Sequence, residues 1–300
     1  MPADARWPSL PLDSWRDTKD TLHMWTQIAG KICLALTPRV NHFWNIAFQV
    51  TSCGLVTPSM AYKGRTFTLT FDFVEHELVL LVSDGSREAL PLRGQTVAEF
   101  YRATMNMLAR AGIEVRIWTM PVEVQDPIRF TDDTTHHVYD RDAVRRFWDV
   151  LLAAKPVLED FRGEFIGKCS PVHFFWGSFD LAVTRFSGHR APERPGADSI
   201  TREAYSHEVI SHGWWPGGGP YNDAAFYAYA APEPEGLKTA RVEPSAAFYS
   251  TDLSEFLLPY EAVRSAADPA GDLRAFLAST YDAAAALAKW DRAELERIRV

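Results

Sequence analysis

Between Thr66 and Val74 the apolar residues fall at every second position. Phe67, Leu69, Phe71 and Phe73 point one way, and Thr66, Thr68, Thr70 and Asp72 the other. A helix, turning about 100° per residue, would scatter these four side chains around its axis, so the segment must be a strand with one buried face. Glu75-His76 turns the chain, and Leu78 to Ser83 returns as the hairpin partner. Asp84-Gly85 then leads into a short strand from Glu88 to Leu92. The sheet is expected to be antiparallel and to rest on helices that flank it in sequence. Asp17 to Leu36 carries Leu22, Trp25, Ala29, Ile32 and Leu36 on one face, with Asp17 or Thr18 to open the helix and Pro38 to stop it. A second helix runs from Thr96 to about Arg110 and ends at Gly112. Between Pro38 and the sheet, His42 to Thr51 has strand spacing. Val115 to Val124 reads as extended, and Gln125 to Asp140 is polar.

The second half follows the same order. A helical segment spans Arg141 to Phe165, with a kink or break expected at Pro156, and a long strand spans Val172 to Phe186. After a Pro/Gly-rich loop (Ala191 to Asp198) come strands at Glu203–Ile210 and Ala225–Ala230, an extended stretch before Pro259, and a helix from Gly271 to Leu287. His42-Phe43-Trp44 and His173-Phe174-Phe175-Trp176 open corresponding segments, and Leu-Pro recurs at Leu90-Pro91 and Leu258-Pro259. The expected fold is α+β: two tandem helix–four-strand–helix units with mainly antiparallel sheet, related by approximate two-fold pseudo-symmetry. Residues 1–125 and 126–300 would be the two repeats, packed as one compact unit.

Composition narrows the partners. A formal charge of -8 without a dense Lys/Arg run argues against nucleic acid. No apolar run approaches the ~20 residues of a membrane span, and Met1–Trp7 has no apolar signal-peptide core. Asp291 to Val300, which mixes both signs, reads as a solvated helix end. Cys33, Cys53 and Cys169 are too few and too scattered for a disulfide framework or a CxxC zinc site. A cytoplasmic protein with a small-molecule ligand is expected. The 10 Trp, 18 Phe and 10 Tyr suit both a large core and an aromatic pocket wall.

Three constellations could carry chemistry. In Gly167–Arg185, one extended chain would put Trp176, Ser178, Asp180 and Thr184 on one face, and His173 and Arg185 on the other. Asp180 and Arg185 must then be paired or line a polar cavity. Tyr205-Ser206-His207-Glu208 precedes His212-Gly213-Trp214-Trp215 and a glycine run, which suggests an aromatic wall beside a flexible lid. On the first helix His23, Gln27 and Lys31 lie at i, i+4 and i+8, either as exposed surface or as a polar wall. Gly30 beside them would permit close approach of another backbone. His42, His173, His207 and Glu208, or Asp180 in its place, form a chemically acceptable ligand set for a divalent metal such as zinc or iron, although no short paired spacing supports one. Cys169 or Ser170 near His173 is a weaker nucleophile candidate.

The stretch Trp7–Ile28, Gly167-Lys-Cys-Ser-Pro-Val-His-Phe-Phe-Trp-Gly-Ser-Phe-Asp180 and Tyr205-Ser-His-Glu208 resemble a bacterial family known only as a domain of unknown function. The resemblance spans nearly the whole chain and implies a stand-alone cytosolic protein, but no activity. Function therefore rests on the residues. The expectation is an enzyme, a hydrolase or lyase, acting on a small organic substrate that could be anionic, in a pocket between the two halves. His173 and His207 would transfer protons, and Glu208 or Asp180 would orient a histidine or a metal. Lys168 and Arg185 would hold an anionic group, and Trp176, Tyr205, Trp214, Trp215, His23, Gln27, Lys31 and His42 would line the site. His173→Ala would then keep the fold and remove turnover. The alternative is a non-catalytic binder using the same aromatic pocket.

Overall fold

The computed structural model describes residues 7–297. The readings of Met1–Arg6 and of the tail from Ile298 lie outside these residues. Helix α1 (Arg16–Leu36) forms where the apolar spacing requires it, and its middle is covered on every side: all residues from Thr21 to Cys33 are buried. After it, Asn41–Ile46 is a tight helical turn in which His42 and Phe43 have φ of 59° and 58°. The expected strand over His42–Thr51 therefore shrinks to β1 (Gln49–Val50). It is followed by β2 (Gly54–Val56), β3 (Met60–Tyr62), β4 (Arg65–Asp72), β5 (Glu77–Val82) and β6 (Arg87–Pro91). These build one antiparallel sheet, in the order β1-β2-β4-β5-β6 with β3 paired to β4. On β4, Phe67, Leu69 and Phe71 are buried while the alternate residues are not, as the alternation demands.

Helix α2 (Val97–Arg110) starts at a capping box between Thr96 and Glu99. Its Phe100 stacks on Trp25 of α1 with ring centroids 4.6 Å apart and also meets Phe71 of the sheet. Helix α3 (Arg141–Gly163), capped by Asp140, runs through Pro156 without interruption.

The expected long strand over Val172–Phe186 is instead a hairpin, β7 (His173–Phe175) and β8 (Asp180–Arg190), reversed at Phe179 with φ 60°. In place of a strand beginning at Glu203 there is a short helix, α4 (Ser199–Ala204), before β9 (His207–Trp215). Then come β10 (Ala225–Ala231), β11 (Phe248–Ser250), β12 (Glu255–Pro259), and helices α5 (Tyr260–Arg264), α6 (Pro269–Leu287) and α7 (Arg292–Leu295). The second sheet is antiparallel in the order β11-β12-β10-β9-β8-β7. Each sheet thus has six strands rather than four. Phe48, beside β1, exchanges two backbone hydrogen bonds (2.8 and 2.7 Å) with Phe174 of β7, which joins the two sheets at their edges.

One face of the second sheet packs on α3 and α6. Leu181 and Val183 of β8, Ile210, His212 and Trp214 of β9, and Phe226 of β10 are buried there. His212 Nε2 meets Thr280 Oγ1 of α6 at 3.0 Å, which fixes the side. The other face holds the functional candidates.

Candidate functional site

The second face of the sheet carries Asp180, Thr184, Ser211, Tyr227, Tyr229 and Glu255, and it floors a cavity of about 770 Å³, within the range of small-molecule sites. Segments from the first half close it: the turn with His42, Trp44 and Ile46, and the loop with Val122 and Glu123. Trp176, Ile200 of α4, Tyr205 and Trp215 complete the walls.

The hairpin explains the placement of Asp180. Phe175 pairs with Asp180 and His173 with Ala182, so all four share the cavity-side face. This corrects the single-strand reading, which set His173 opposite Asp180. The Asp180 carboxylate is buried and accepts hydrogen bonds from the hydroxyls of Ser178 and Tyr227. Burial pushes its pKa up, and the two hydrogen bonds oppose that shift. Gly213 makes the Tyr227 contact possible. It lies opposite both Ala182 and Tyr227 in the sheet, and a Cβ there would meet the Tyr227 ring and the Leu181 carbonyl. Tyr205 and Tyr229 pair through their hydroxyls at 3.0 Å, and Thr184 pairs with Ser211 at 2.8 Å.

Glu123 enters from outside the sheet. Its backbone is left-handed at φ 55°, and its Oε1 lies over Gly177, where a Cβ would come within 2.6 Å of it. The buried helix α1 holds this loop. Gln27 donates to Val122 O (2.8 Å) and accepts from Val122 N–H (2.9 Å), and His23 Nε2 meets Gly177 O at 2.8 Å. The polar stripe of α1 is thus a clamp on the cavity wall rather than exposed surface. Glu123 is solvent-exposed, although the protein packed around it still desolvates its carboxyl in part. Desolvation, with Asp180 and Asp198 adding repulsion, raises its carboxyl to about 7. Glu255 is likewise raised to about 7, by burial and then by Asp180. Among the described residues, no lysine or arginine pairs with either group.

The other expected residues fall in three places. Trp176, Tyr205, Trp215 and His42 line the cavity. The Trp176 ring, not a backbone, occupies the space above Gly30, and its Nε1–H donates to Ile46 O at 2.9 Å. Lys168 and His207 gather at the His42 end. His42 Nδ1 lies 3.0 Å from Glu203 O and so donates, leaving Nε2 to accept from Lys168 at 2.6 Å. His207 Nδ1 meets Ser206 Oγ. Lys31 is buried at the far end of the stripe, 4.6 Å above the Trp118 ring, and desolvation lowers its pKa to about 8.

Three expectations fail on placement. Arg185 and Trp214 lie on the helix-facing side of the sheet. Arg185 sits among Phe161, Phe165 and Tyr281 and donates to Phe161 O, so it holds no ligand in the cavity. Trp214 packs on Phe147 and Tyr260. Glu208 is also on that side and accepts from Ser187 Oγ at 2.7 Å. The metal set His42, His173, His207 and Glu208 does not converge, and no group of three or more His, Cys, Asp and Glu residues among those described is arranged to hold a metal. His173 is buried between Phe175 and Trp44. Its Nε2 has no hydrogen-bond partner among the described residues, and burial lowers its pKa to about 4. As a nucleophile, Cys169 is masked by burial, which raises it to about 11. Ser170 is engaged with the backbone of Pro171 and Thr184. The glycine run after Trp215 packs against the start of α1, where Lys19 Nζ reaches Gly217 O at 3.4 Å, and is not among the cavity-lining residues.

Sequence reasoning missed Glu123, Tyr227, Tyr229 and Glu255. A signal was present for the tyrosines, which alternate with Phe226 and Ala228 on a recognised strand. Glu123 carried none, because its placement depends on a left-handed residue and on a clamp from a distant helix.

The chain belongs to the family of unknown function DUF5996, whose model matches residues 7–297. No curated protein matches it, and neither does any solved structure.

Proposed function

We propose that this member of DUF5996 is an enzyme that binds a small organic molecule in the cavity of the second sheet and acts on it by general acid–base catalysis. The observation that carries this reading is Glu123. It is a carboxyl in the cavity wall without an ion-pair partner among the described residues, clamped through Val122 by Gln27, with its pKa brought to about 7. A carboxyl ordinarily titrating near 4.5 is a poor acid at neutral pH. One titrating near 7 populates both forms and can give or take a proton. Asp180 and Tyr227 supply a second, hydrogen-bonded acid–base pair. Tyr227 keeps its proton, because burial and then the neighbouring Asp180 carboxylate raise its pKa well above 10. The aromatic walls formed by Trp44, Phe175, Trp176 and Trp215 would hold the apolar body of the substrate. Hydrolysis and lyase-type proton abstraction both use these parts. His173 and His207, expected as the proton-transfer groups, give way to the carboxyls, since neither lines the cavity.

No helix among the described residues is long and apolar enough to cross a membrane. The three cysteines are unpaired, which supports a reducing, cytoplasmic setting.

The test is to incubate wild-type protein and Glu123→Gln with a bacterial metabolite extract and follow depletion by mass spectrometry. Consumption of a compound by wild type alone supports the enzyme. Retention of a compound by both proteins without turnover identifies a non-catalytic binder instead.

A further inference from the structure

The cavity has a marked chemical bias that its size alone does not explain. Among the described residues its lining includes Glu123, Asp180, Asp198 and Glu255 but neither lysine nor arginine. Among the described residues Glu123 and Glu255 form no ion pair, and the side chains that hydrogen-bond Asp180 are the hydroxyls of Ser178 and Tyr227. A buried carboxylate without a counter-charge is costly and tends to take up a proton. Asp180 is buried, Glu255 half-buried and Glu123 exposed, and three carboxyls without a counter-charge among the described residues around one space leave a position that a positive charge would fill. Aromatic faces surround the same space, and rings attract cations through their negative faces. We propose that the ligand of this cavity is a small organic cation, an alkylammonium or quaternary ammonium compound, held among Glu123, Asp180 and Glu255 against the rings of Phe175, Trp176 and Trp215. This inference rests on the cavity being the binding site.

The groups facing these carboxyls come from every side. Glu123 faces Asp180 of β8 and Asp198 before α4. Asp180 faces Tyr227 of β10 and Ser178. Glu255 faces Asp180 and Tyr249 of β11. It also borders a smaller cavity of about 540 Å³ whose cations are already engaged, Arg194 on the Tyr205 ring and Lys238 with Glu233. The other basic groups, Lys168, His42 and His207, are grouped beside Trp44 and Phe186, and Lys168 is held by His42 and those two rings. A cation binds the ionised carboxylates, so binding must release protons. Its affinity rises with pH as Glu123 and Glu255, both raised to about 7, ionise.

The test is calorimetric titration of the full-length chain with tetramethylammonium, 1,4-diaminobutane and, as a neutral control, glucose, at pH 5.5, 7.0 and 8.5. Two buffers of different ionisation enthalpy count the protons released. The amines are expected to bind and glucose not to. Amine affinity should fall about tenfold per pH unit below 7 for each carboxylate that must ionise. Glu123→Gln and Glu255→Gln should each weaken amine binding and flatten the slope. Glucose binding without a pH slope, or amine binding unchanged in both variants, overturns the proposal. Ala204→Trp, on the rim at α4, separates the two claims. A neutral extract compound whose binding is blocked by this variant leaves the cavity as the site and discards the cation. If no ligand of any class is sensitive to the variant, both fall.

Discussion

Gln27→Leu is the substitution that most directly probes how α1 shapes the site. Gln27 is fully buried, and its amide makes both hydrogen bonds to the Val122 backbone. Leucine has similar bulk and no polar atom. Two hydrogen bonds at about 1 kcal/mol each disappear, and each Val122 group left dry costs a further 1–3 kcal/mol or so. If the loop stays in place the expected loss is about 4–8 kcal/mol, and toward the lower end because Val122 is only half-buried. If it swings out to find water the loss falls to about 2 kcal/mol, but Glu123 then leaves the cavity and its carboxyl returns toward 4.5. Urea unfolding at pH 8, followed by far-UV circular dichroism, measures the first quantity, and a carboxyl titration measures the second. A loss under about 0.5 kcal/mol, the size of an ordinary surface substitution, together with an unmoved Glu123, would refute the clamp.

Gly30→Ala should destabilise the protein despite the better helix propensity of alanine, worth about 1 kcal/mol. The new methyl displaces the Trp176 ring and its bond to Ile46; a variant more stable than wild type, with unchanged tryptophan fluorescence, contradicts this. Arg185→Met should leave ligand binding intact and cost under about 1.5 kcal/mol, because the buried guanidinium has no ion-pair partner among the described residues and sits on the face away from the cavity; loss of binding would place Arg185 in the site after all. For Glu255 the folded-state pKa of about 7 exceeds the ordinary 4.5, so the folded state binds the extra proton and wild-type stability falls as pH rises from 4.5 to 7. Glu255→Gln should therefore match wild type near pH 4.5 and exceed it at pH 8, by at most about 3 kcal/mol and less where water screens the carboxyl; a difference independent of pH, read by chemical denaturation, would contradict the burial.

Local patterns carried much of the fold. The alternation at Thr66–Val74 became β4 nearly residue for residue, and the period of Asp17–Leu36 became α1, because each pattern is created by one dominant buried face. The misreadings occur where a left-handed residue reverses the chain. His42 and Phe43 curl an apparent strand into a turn, and Phe179 folds an apparent long strand into a hairpin. That one reversal moved His173 to the side of Asp180 and left Arg185 behind the sheet. Asp180, Trp176, Tyr205, Trp215 and His42 were legible as site residues because they stand in dense polar–aromatic runs. Glu123 and Glu255 were not, since isolated acids in ordinary surroundings acquire their character only from what folds around them. The stripe of His23, Gln27 and Lys31 was visible, but its burial follows from the middle of α1 being covered on all sides, which no single-helix pattern reveals.

A carbon-13 titration of glutamate carboxyls, with Glu123 assigned by comparison with Glu123→Gln, tests the acid–base site most directly. A Glu123 midpoint near 7, moving downward in Asp180→Asn as the neighbouring charge is removed, is the expected result. A midpoint near 4.5, unaffected by Asp180→Asn, would show a solvated surface carboxyl and remove the basis for catalysis in this cavity.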